Sequence, residues 1–280
     1  MESFQEQLKN IMTGSLEKEH SKNQIQMIHS SETEVCPKCH NCGWVITEDG
    51  GQGTAVECDC GIRKKMIHNS RLKFADIPEA FRDVRLDNFK KSVYQVPENR
   101  EIVVEIAKAV RYWLKNLESM KERGIGLYFY SGTKGSGKTR LAVSIANELI
   151  EKYDTRVKFS TSIQILDEIT KTWKDKEFSE SELINQLVDS EILIIDDFGT
   201  ENAKDWKNEK FYSIINGRYV EKKITIFTSN FSLDDLSYDD RIINRIKERV
   251  LQIPFPEESI RETLAKKLKE ELREGVMAGE

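Results

Sequence analysis

The sequence "YFYSGTKGSGKTRLAVSIANELI", residues 128–150, carries the strongest structural signal in this chain. It contains the complete pattern G-x-x-x-x-G-K-[ST] of a phosphate-binding loop. The loop residues are Gly132, Thr133, Lys134, Gly135, Ser136, Gly137, Lys138 and Thr139. An apolar strand pattern precedes the loop and apolar residues at helical spacing follow it, so the order is strand, glycine-rich loop, helix. This context argues against the alternative, a glycine-rich turn with an unrelated lysine.

The chemistry of such a loop explains why these residue types are needed. Its backbone N–H groups and the N-terminus of the following helix present partial positive charge to phosphate oxygens. Lys138 is predicted to reach the outer phosphates, and the Thr139 hydroxyl to bind Mg²⁺. The sequence therefore predicts a nucleotide-binding site.

Strand patterns alternate with helical patterns along the rest of the chain. The predicted strands after the loop are residues 157–161, 192–195, 224–229 and 250–255. Alternation of this kind favours a parallel sheet with helices on its faces. An amphipathic helix is predicted before the loop, over residues 102–117, and another over residues 260–272.

Polar residues follow two of the predicted strands. Asp196 and Asp197 end an apolar strand, and parallel strands present their carboxyl ends at the ligand edge of a sheet. Asp196 is predicted to hold Mg²⁺, and Asp197 to orient or deprotonate an attacking water. Asn230 ends the next strand and is a candidate for holding that water or the terminal phosphate. Without the phosphate loop upstream, a buried strand followed by an acidic turn would be the simpler interpretation.

Two arginines lie four residues apart on one predicted helix. Arg241 and Arg245 share a helix face, and guanidinium groups stabilise the charge that develops on transferred phosphoryl oxygens. The alternative for either arginine is a surface salt bridge. Both are therefore candidates for contacting nucleotide.

Composition limits the classes of protein to which this chain can belong. Its 280 residues are enough for about two domains, and the formal net charge of −5 argues against general attraction to nucleic acid. A local basic groove remains compatible with that charge. We expect a cytoplasmic protein, because no apolar run reaches membrane-spanning length and the first 30 residues lack the apolar core of a signal peptide.

All five cysteines lie between residues 36 and 60. Clustering in a reducing compartment favours metal binding over disulfides. The spacing predicts a tetrahedral Zn²⁺ site with the ligands Cys36, Cys39, Cys58 and Cys60, separated by an 18-residue loop. Cys42, His40 and His68 are alternative ligands, and a redox or iron–sulfur role or unligated thiols are alternatives to zinc.

The first residues of the chain predict one amphipathic helix. Apolar side chains recur at three- and four-residue intervals from Phe4 to Leu16. So short a segment cannot bury this stripe by itself. The stripe is expected to pack either on the next domain of the protein or on a partner.

Several motifs together resemble a known family. They are Cys-Pro-Lys-Cys at 36–39, Ile77-Pro78 with Phe81, the phosphate loop, residues 194–199, residues 211–219, residues 228–230, and the paired arginines. Over about residues 36–261 the chain resembles the DnaC/DnaI class of helicase loaders within the AAA+ ATPases. It is similar also to the IstB-type transposition helpers.

The resemblance implies a fold class and a domain organisation. The expected fold is α/β, an AAA+ phosphate-loop ATPase core with a parallel sheet flanked by helices and a small N-terminal zinc-binding domain. Residues 1–70 would be the helicase-docking domain, 71–100 a connector, and 101–280 the ATPase domain. The strand that precedes the phosphate loop is expected in the middle of the sheet.

The resemblance also implies roles for individual residues. Asn230 would be the first sensor, and Arg245 the arginine finger that acts on ATP bound by a neighbouring subunit. Arg261 is a second sensor candidate, and Arg241 a further residue for contact with nucleotide.

The implied function is an ATP-dependent loader that places the replicative hexameric DNA helicase on single-stranded DNA. ATP, Mg²⁺ and Zn²⁺ are the expected cofactors, self-association occurs through the ATPase domains, and no membrane is involved. Three alternatives remain open: a transposition helper ATPase, a small-molecule kinase with a phosphate loop, and an adaptor that binds ATP without hydrolysing it. A kinase would need neither an arginine from a neighbouring subunit nor a zinc-bearing arm.

Overall fold

A computed structural model describes residues 35–49, 52–173, 179–201 and 205–278. The predicted amphipathic helix from Phe4 to Leu16 lies outside these residues. The chain divides into two compact units, Met1–Phe74 and Ala75–Glu280. No helix in the described part of the chain is long and apolar enough to cross a membrane.

The first unit is built around an antiparallel hairpin. Strand β1 (Trp44–Asp49) pairs with β2 (Gln52–Glu57). The 18-residue loop between the two cysteine pairs therefore contains a β-hairpin, which was not predicted. β-Branched residues on both sides of Gly50-Gly51 are the signal that a hairpin interpretation would have used. Helix α1 (Ile62–Ala75) follows the second cysteine pair.

The second unit alternates strands and helices as the sequence predicted. Its helices are α2 (Pro97–Lys115), α3 (Leu117–Arg123), α4 (Lys138–Lys152), α5 (Ser162–Thr172), α6 (Glu180–Asp189), α7 (Asp205–Val220), α8 (Asp240–Arg249) and α9 (Ile260–Ala278). Its strands are β3 (Gly126–Tyr130), β4 (Val157–Thr161), β5 (Ile192–Phe198), β6 (Ile224–Ser229) and β7 (Val250–Pro254).

The five strands form one parallel sheet in the order β4-β5-β6-β3-β7. The predicted parallel sheet is thus confirmed. The strand before the phosphate loop, β3, lies inside the sheet, but its expected position in the middle was wrong, because β6 occupies the centre. All five carboxyl ends meet at one edge, where ligands bind in open parallel sheets.

The core lies between this sheet and the helices that follow the strands. Leu127, Tyr128 and Phe129 of β3 are fully buried, and α4 packs most of its length against the sheet, with Leu141 and Leu149 at most 1% exposed. Near-continuous apolar strands are typical of parallel sheets, which are covered on both faces. Burial of α4 holds the phosphate loop that begins this helix.

The chain between α1 and α2 lies on the second unit. It contains three 3-10 turns, Glu79–Phe81, Leu86–Asn88 and Lys91–Val93. The Asn147 amide of α4 donates hydrogen bonds to the carbonyls of Phe81 (3.2 Å) and Val84 (2.7 Å). The Tyr94 hydroxyl donates to the Ser136 carbonyl at 2.7 Å. These contacts connect residues 77–94 directly to the phosphate loop and its helix.

Candidate nucleotide site and cysteine cluster

The phosphate loop depends on glycines at two positions. Gly135 (φ 81°) and Gly137 (φ 107°) adopt left-handed conformations that favour glycine. Space is also short there, because a Cβ at Gly137 would lie 3.1 Å from the Tyr94 hydroxyl and 3.2 Å from Ile260 Cδ1. Gly137 is also the N-cap of α4, so the loop opens directly onto the N-terminus of that helix.

Lys138 lies beneath the loop. It is only 5% exposed, and its Nζ donates to the carbonyls of Ser131 and Thr133, both at 3.1 Å, and to Ser136 Oγ at 3.4 Å. Burial lowers the pKa of the Lys138 ammonium, whereas the nearby charge of Asp197 acts to raise it. A cation held by the loop itself is suited to reach bound phosphate.

Thr139 and Asp196 meet where α4 begins and β5 ends. Thr139 Oγ1 donates to Asp196 Oδ1 at 2.8 Å, and Thr228 Oγ1, from β6, donates to the same oxygen at 2.5 Å. Burial raises the pKa of the Asp196 carboxyl, and the hydrogen bond from Thr228 opposes this rise. Since the hydrogen of Thr139 points to Asp196, the oxygen of Thr139 keeps its lone pairs for a divalent cation.

Asp197 leaves the strand through a bulge. The register of β5 on β6 shifts between Ile195 and Phe198, and Asp197 has φ 53°, in the left-handed region. The residues on either side are buried, but Asp197 is exposed. Bulges commonly redirect a side chain beside an active site, and this one turns Asp197 out of the sheet.

A cleft of about 440 Å³ lies over the loop. It is lined by Phe81, Lys134, Gly135, Ser136, Gly137, Lys138, Thr139, Arg140, Asp197, Thr200, Asn230, Ile260, Arg261 and Leu264. The structure thus brings Asp197, Asn230 and Arg261 to the phosphate loop, as their predicted roles require. Three of the lining residues, Phe81, Ile260 and Leu264, are apolar, which suits a nucleobase. The sequence pattern of α9 indicated only a helix at Ile260 and Leu264.

The first two residues of the phosphate loop, Gly132 and Thr133, bind a carboxylate of the protein itself. Their backbone N–H groups donate to the Glu257 carboxylate at 2.9 and 2.8 Å, and Thr133 Oγ1 donates to it at 2.7 Å. Burial acts to raise the pKa of Glu257, but the hydrogen bonds from Thr133 and Gly132 prevail and lower it. No local sequence pattern marks Glu257, because 124 residues separate it from Thr133.

The structure does not bring Arg245 into this cleft. Its Nε donates to Asn216 Oδ1 at 2.9 Å and its guanidinium to the Tyr212 hydroxyl at 3.3 Å. The guanidinium carbon lies 5.0 Å from the Tyr212 ring centroid and 5.7 Å from that of Tyr219. Arg245 is therefore held on the face between α7 and α8.

Arg241 also lies outside the cleft that the phosphate loop forms. It makes hydrogen bonds with Asp239 at 3.0 and 2.9 Å, and its guanidinium stacks 4.8 Å from the Tyr212 ring centroid. The hydrogen bonds from Arg241 lower the pKa of Asp239 to about 2. Neither arginine can contact a nucleotide bound in the cleft of its own chain without leaving these partners.

In the first unit, the four predicted ligand thiols converge. The sulfurs of Cys36, Cys39, Cys58 and Cys60 all lie within 4.8 Å of one another. Cys36 and Cys58 are 3.8 Å apart, and Cys39 and Cys60 are 3.5 Å apart. Tetrahedral coordination with Zn–S bonds of about 2.3 Å separates sulfurs by about 3.8 Å, so the cluster fits a tetrahedral ion.

The turn around Cys36 favours the form of this thiol that binds metal. Hydrogen bonds from the backbone N–H groups of Cys39 and Lys38 lower the pKa of Cys36 to about 7, which favours the thiolate that metals require. Cys42 lies outside the cluster, and its Sγ donates to the Trp44 carbonyl at 3.2 Å. Among the described residues, His40 and His68 are not part of the cluster either.

Residues 126–263 match the family described as IstB-like ATP binding protein. Over 219 residues the chain is 24% identical to phage-like element PBSX protein XkdC of Bacillus subtilis, covering 76% of this chain and 78% of that protein. Over 147 residues it is 30% identical to the replicative helicase loader DnaI of Bacillus subtilis, covering 48% of this chain and 45% of DnaI. The match therefore spans less than half the length of that loader.

The fold is shared with a solved helicase loader. The crystal structure of the DnaC helicase loader superposes with a TM-score of 0.54 at 23% identity, covering 64% of this chain and all of that one. This chain therefore contains an IstB-like ATP-binding domain with the AAA+ fold, homologous to the DnaC and DnaI helicase loaders.

Proposed function

We propose that this AAA+ protein is an ATP-dependent loader that binds the replicative DNA helicase and places it on single-stranded DNA. Two findings support this proposal: a cleft over the phosphate loop that Asp197 lines, with Asp196 hydrogen-bonded to Thr139, and the homology of this domain to DnaI and DnaC. The energy of ATP would drive a conformational switch in the loader.

ATP would bind with its phosphates on the N–H groups of residues 134–139 and on Lys138. Thr139 and Asp196 would hold Mg²⁺, which supplies positive charge to the phosphate oxygens. Asp197, turned out of the sheet, would orient or deprotonate water, and Asn230 would position that water or the terminal phosphate. Arg261, on the cleft wall beside Gly135, would sense the bound phosphates.

Hydrolysis would need a second copy of the chain. Arg245 lies away from the cleft of its own subunit, held by Asn216 and Tyr212 on the α7–α8 face. We therefore assign it to the nucleotide of a neighbouring subunit, with Arg241 beside it at the same interface. Interfaces of this kind would couple ATP turnover to self-association, and an assembled ring or helix would present a local basic track to single-stranded DNA.

The cysteine module would hold structural Zn²⁺ and dock the helicase. Its four sulfurs fit tetrahedral zinc, and so small a unit would depend on the ion for its fold. The hairpin exposes Trp44 (41%) and Ile46 (74%), two residues apart and so on the same face of β1. An exposed apolar face on a metal-stabilised module suits contact with another protein.

A capture experiment tests this function. Tagged wild-type protein, with ATP and Mg²⁺ present, is expected to recover the replicative helicase from host lysate and to load purified helicase onto circular single-stranded DNA. Lys138→Ala should lose ATP binding and loading, whereas Lys108→Ala, which removes an exposed lysine on α2, should behave as wild type. Recovery of no helicase by a folded, zinc-loaded protein would overturn the proposal.

The IstB-like family match supports a second candidate, a transposition helper ATPase. Such a protein would bind duplex DNA in an ATP-dependent manner and would recover a transposase in the same capture experiment. ATP-dependent binding to duplex DNA in preference to single strands, without helicase recovery, would favour this second function.

A further inference from the structure

We infer that Thr228 is a positioning residue for ATP hydrolysis, because its hydroxyl joins the side chain of Asp196 to the backbone of Asp197. This inference rests on the proposed ATPase function and adds to it a residue of β6 that does not itself line the cleft. The paired acids end one strand, and the group that aligns them lies on the neighbouring strand.

Thr228 is completely buried and makes two short hydrogen bonds. The residue has no exposed surface, its Oγ1 donates to Asp196 Oδ1 at 2.5 Å, and it accepts the Asp197 N–H at 3.0 Å. One hydroxyl thus serves as donor to one acid and acceptor for the next. A valine of nearly the same shape could do neither.

The donated hydrogen bond sets the direction of the Asp196 carboxylate. Oδ1 receives both Thr139 and Thr228, whose bonds come from α4 and β6. With two hydroxyl donors on one oxygen, rotation of the carboxylate about its χ2 axis would break both bonds. The Asp196 carboxylate is therefore already oriented toward a cation beside Thr139 before that cation binds. Preorganised charge of this kind favours catalysis.

The accepted hydrogen bond stabilises the bulge that exposes Asp197. The backbone there is left-handed, and the bulge removes Asp196 and Asp197 from the regular ladder with β6. The Asp197 N–H would then lack a strand partner, and Thr228 supplies one. The position of the Asp197 carboxylate over the cleft therefore depends on the same hydroxyl.

A second contact keeps the strand end folded when Thr228 is changed. Ser229 Oγ donates to the Phe198 carbonyl at 2.7 Å and accepts the Phe231 N–H at 3.0 Å. Thr228→Val should therefore fold with its acids misaligned. Thr228→Ala, which adds no bulk near Asp196, guards against a folding failure of the valine variant, and Thr228→Ser restores the hydroxyl.

The test compares these variants in two measurements. The first is ATP hydrolysis as Mg²⁺ is titrated at saturating ATP, and the second is calorimetric binding of a non-hydrolysable ATP analogue with Mg²⁺ and with EDTA. For Thr228→Val we expect roughly tenfold or greater losses in kcat and in apparent Mg²⁺ affinity, the size of losing a hydrogen bond to a charged group. Binding in EDTA should be unchanged, and Thr228→Ser should approach wild type.

A buried threonine elsewhere provides the matched control. Thr172 is 6% exposed, donates to the Ile169 carbonyl and does not line the cleft, so Thr172→Val should leave both measurements unchanged. Wild-type Mg²⁺ dependence in folded Thr228→Val or Thr228→Ala would overturn the inference. So would losses that Thr228→Ser does not restore.

Failure of the proposed loader ATPase function can be distinguished from failure of the inference about Thr228. If wild-type protein binds ATP but does not hydrolyse it, the proposed ATPase is wrong, and with it the role of Thr228 in hydrolysis. Mg²⁺-dependent analogue binding then still decides whether Thr228 orients Asp196 for the metal. If the protein hydrolyses ATP but captures no helicase, the loader function is wrong, but the hydrolysis and binding measurements still test the role of Thr228.

Discussion

Substitution by asparagine should have different effects at the adjacent acids Asp196 and Asp197: slower hydrolysis at Asp197, and loss of Mg²⁺ binding at Asp196. Asp197→Asn is expected to fold, to bind ATP with Mg²⁺, and to hydrolyse it about a hundredfold to ten-thousandfold more slowly, the usual contribution of a general base. Asparagine tolerates the left-handed backbone at φ 53° as well as aspartate does, and the side chain is exposed. The free energy of unfolding should change by only about 0.5 kcal/mol or less.

Asp196→Asn should instead lose the metal and gain stability without it. The Asp196 carboxyl is 5% exposed, and burial raises its pKa above the value in the unfolded chain. For a carboxyl with a raised folded-state pKa, the ionised form opposes folding, so stability without metal rises as pH falls through the folded-state pKa. A neutral amide removes this dependence while still accepting hydrogen bonds from Thr139 and Thr228.

Three measurements separate the two variants. Phosphate release gives the hydrolysis rate, calorimetry with and without Mg²⁺ gives ATP affinity, and thermal melts in EDTA between pH 5 and pH 8 give stability. Compared with wild type, Asp196→Asn should melt higher in EDTA, with a difference that shrinks as pH falls. Equal loss of Mg²⁺-dependent ATP binding in both variants, or normal hydrolysis by Asp197→Asn, would refute this division of roles.

Three further predictions concern other parts of the molecule. Arg245→Ala should bind ATP but not hydrolyse it, and mixing it with Lys138→Ala should restore some phosphate release; no rescue at any mixing ratio would argue against action between subunits. Arg218 is fully buried and donates to four carbonyls and a hydroxyl, so Arg218→Met leaves these acceptors without a donor. It should lower the free energy of unfolding by roughly 3 kcal/mol or more, and an unchanged urea midpoint would contradict this. Cys36→Ser with Cys39→Ser should lower zinc measured by mass spectrometry from about one per chain to near zero; full retention of zinc would show that other ligands hold it.

Much of the ATPase core could be predicted because its signals are local. The phosphate loop, the apolar strands and the acids at the end of β5 each occupy a few consecutive residues, and the spacing of their side chains predicts strand or helix directly. The predicted strands over residues 157–161 and 224–229 agree with the bounds of β4 and β6. The hairpin of the first unit also has a local signal, the β-branched residues on both sides of Gly50-Gly51, although each of its strands is only six residues long.

What the amino-acid sequence determined by itself was the chemistry: which residues can hold phosphate, metal and water, and which thiols can share one ion. The alignment of these groups depends on contacts between segments that are distant in the chain. Asp196 and Thr228 are 32 residues apart, and Glu257 lies 125 residues from Gly132, so their contacts exist only once β3, β5, β6 and the chain after β7 are assembled. The central place of β6 in the sheet, the bulge at Asp197 and the position of Arg245 away from its own cleft have the same origin. These three features depend on which distant segments of the chain pack together, and local sequence patterns do not predict that packing.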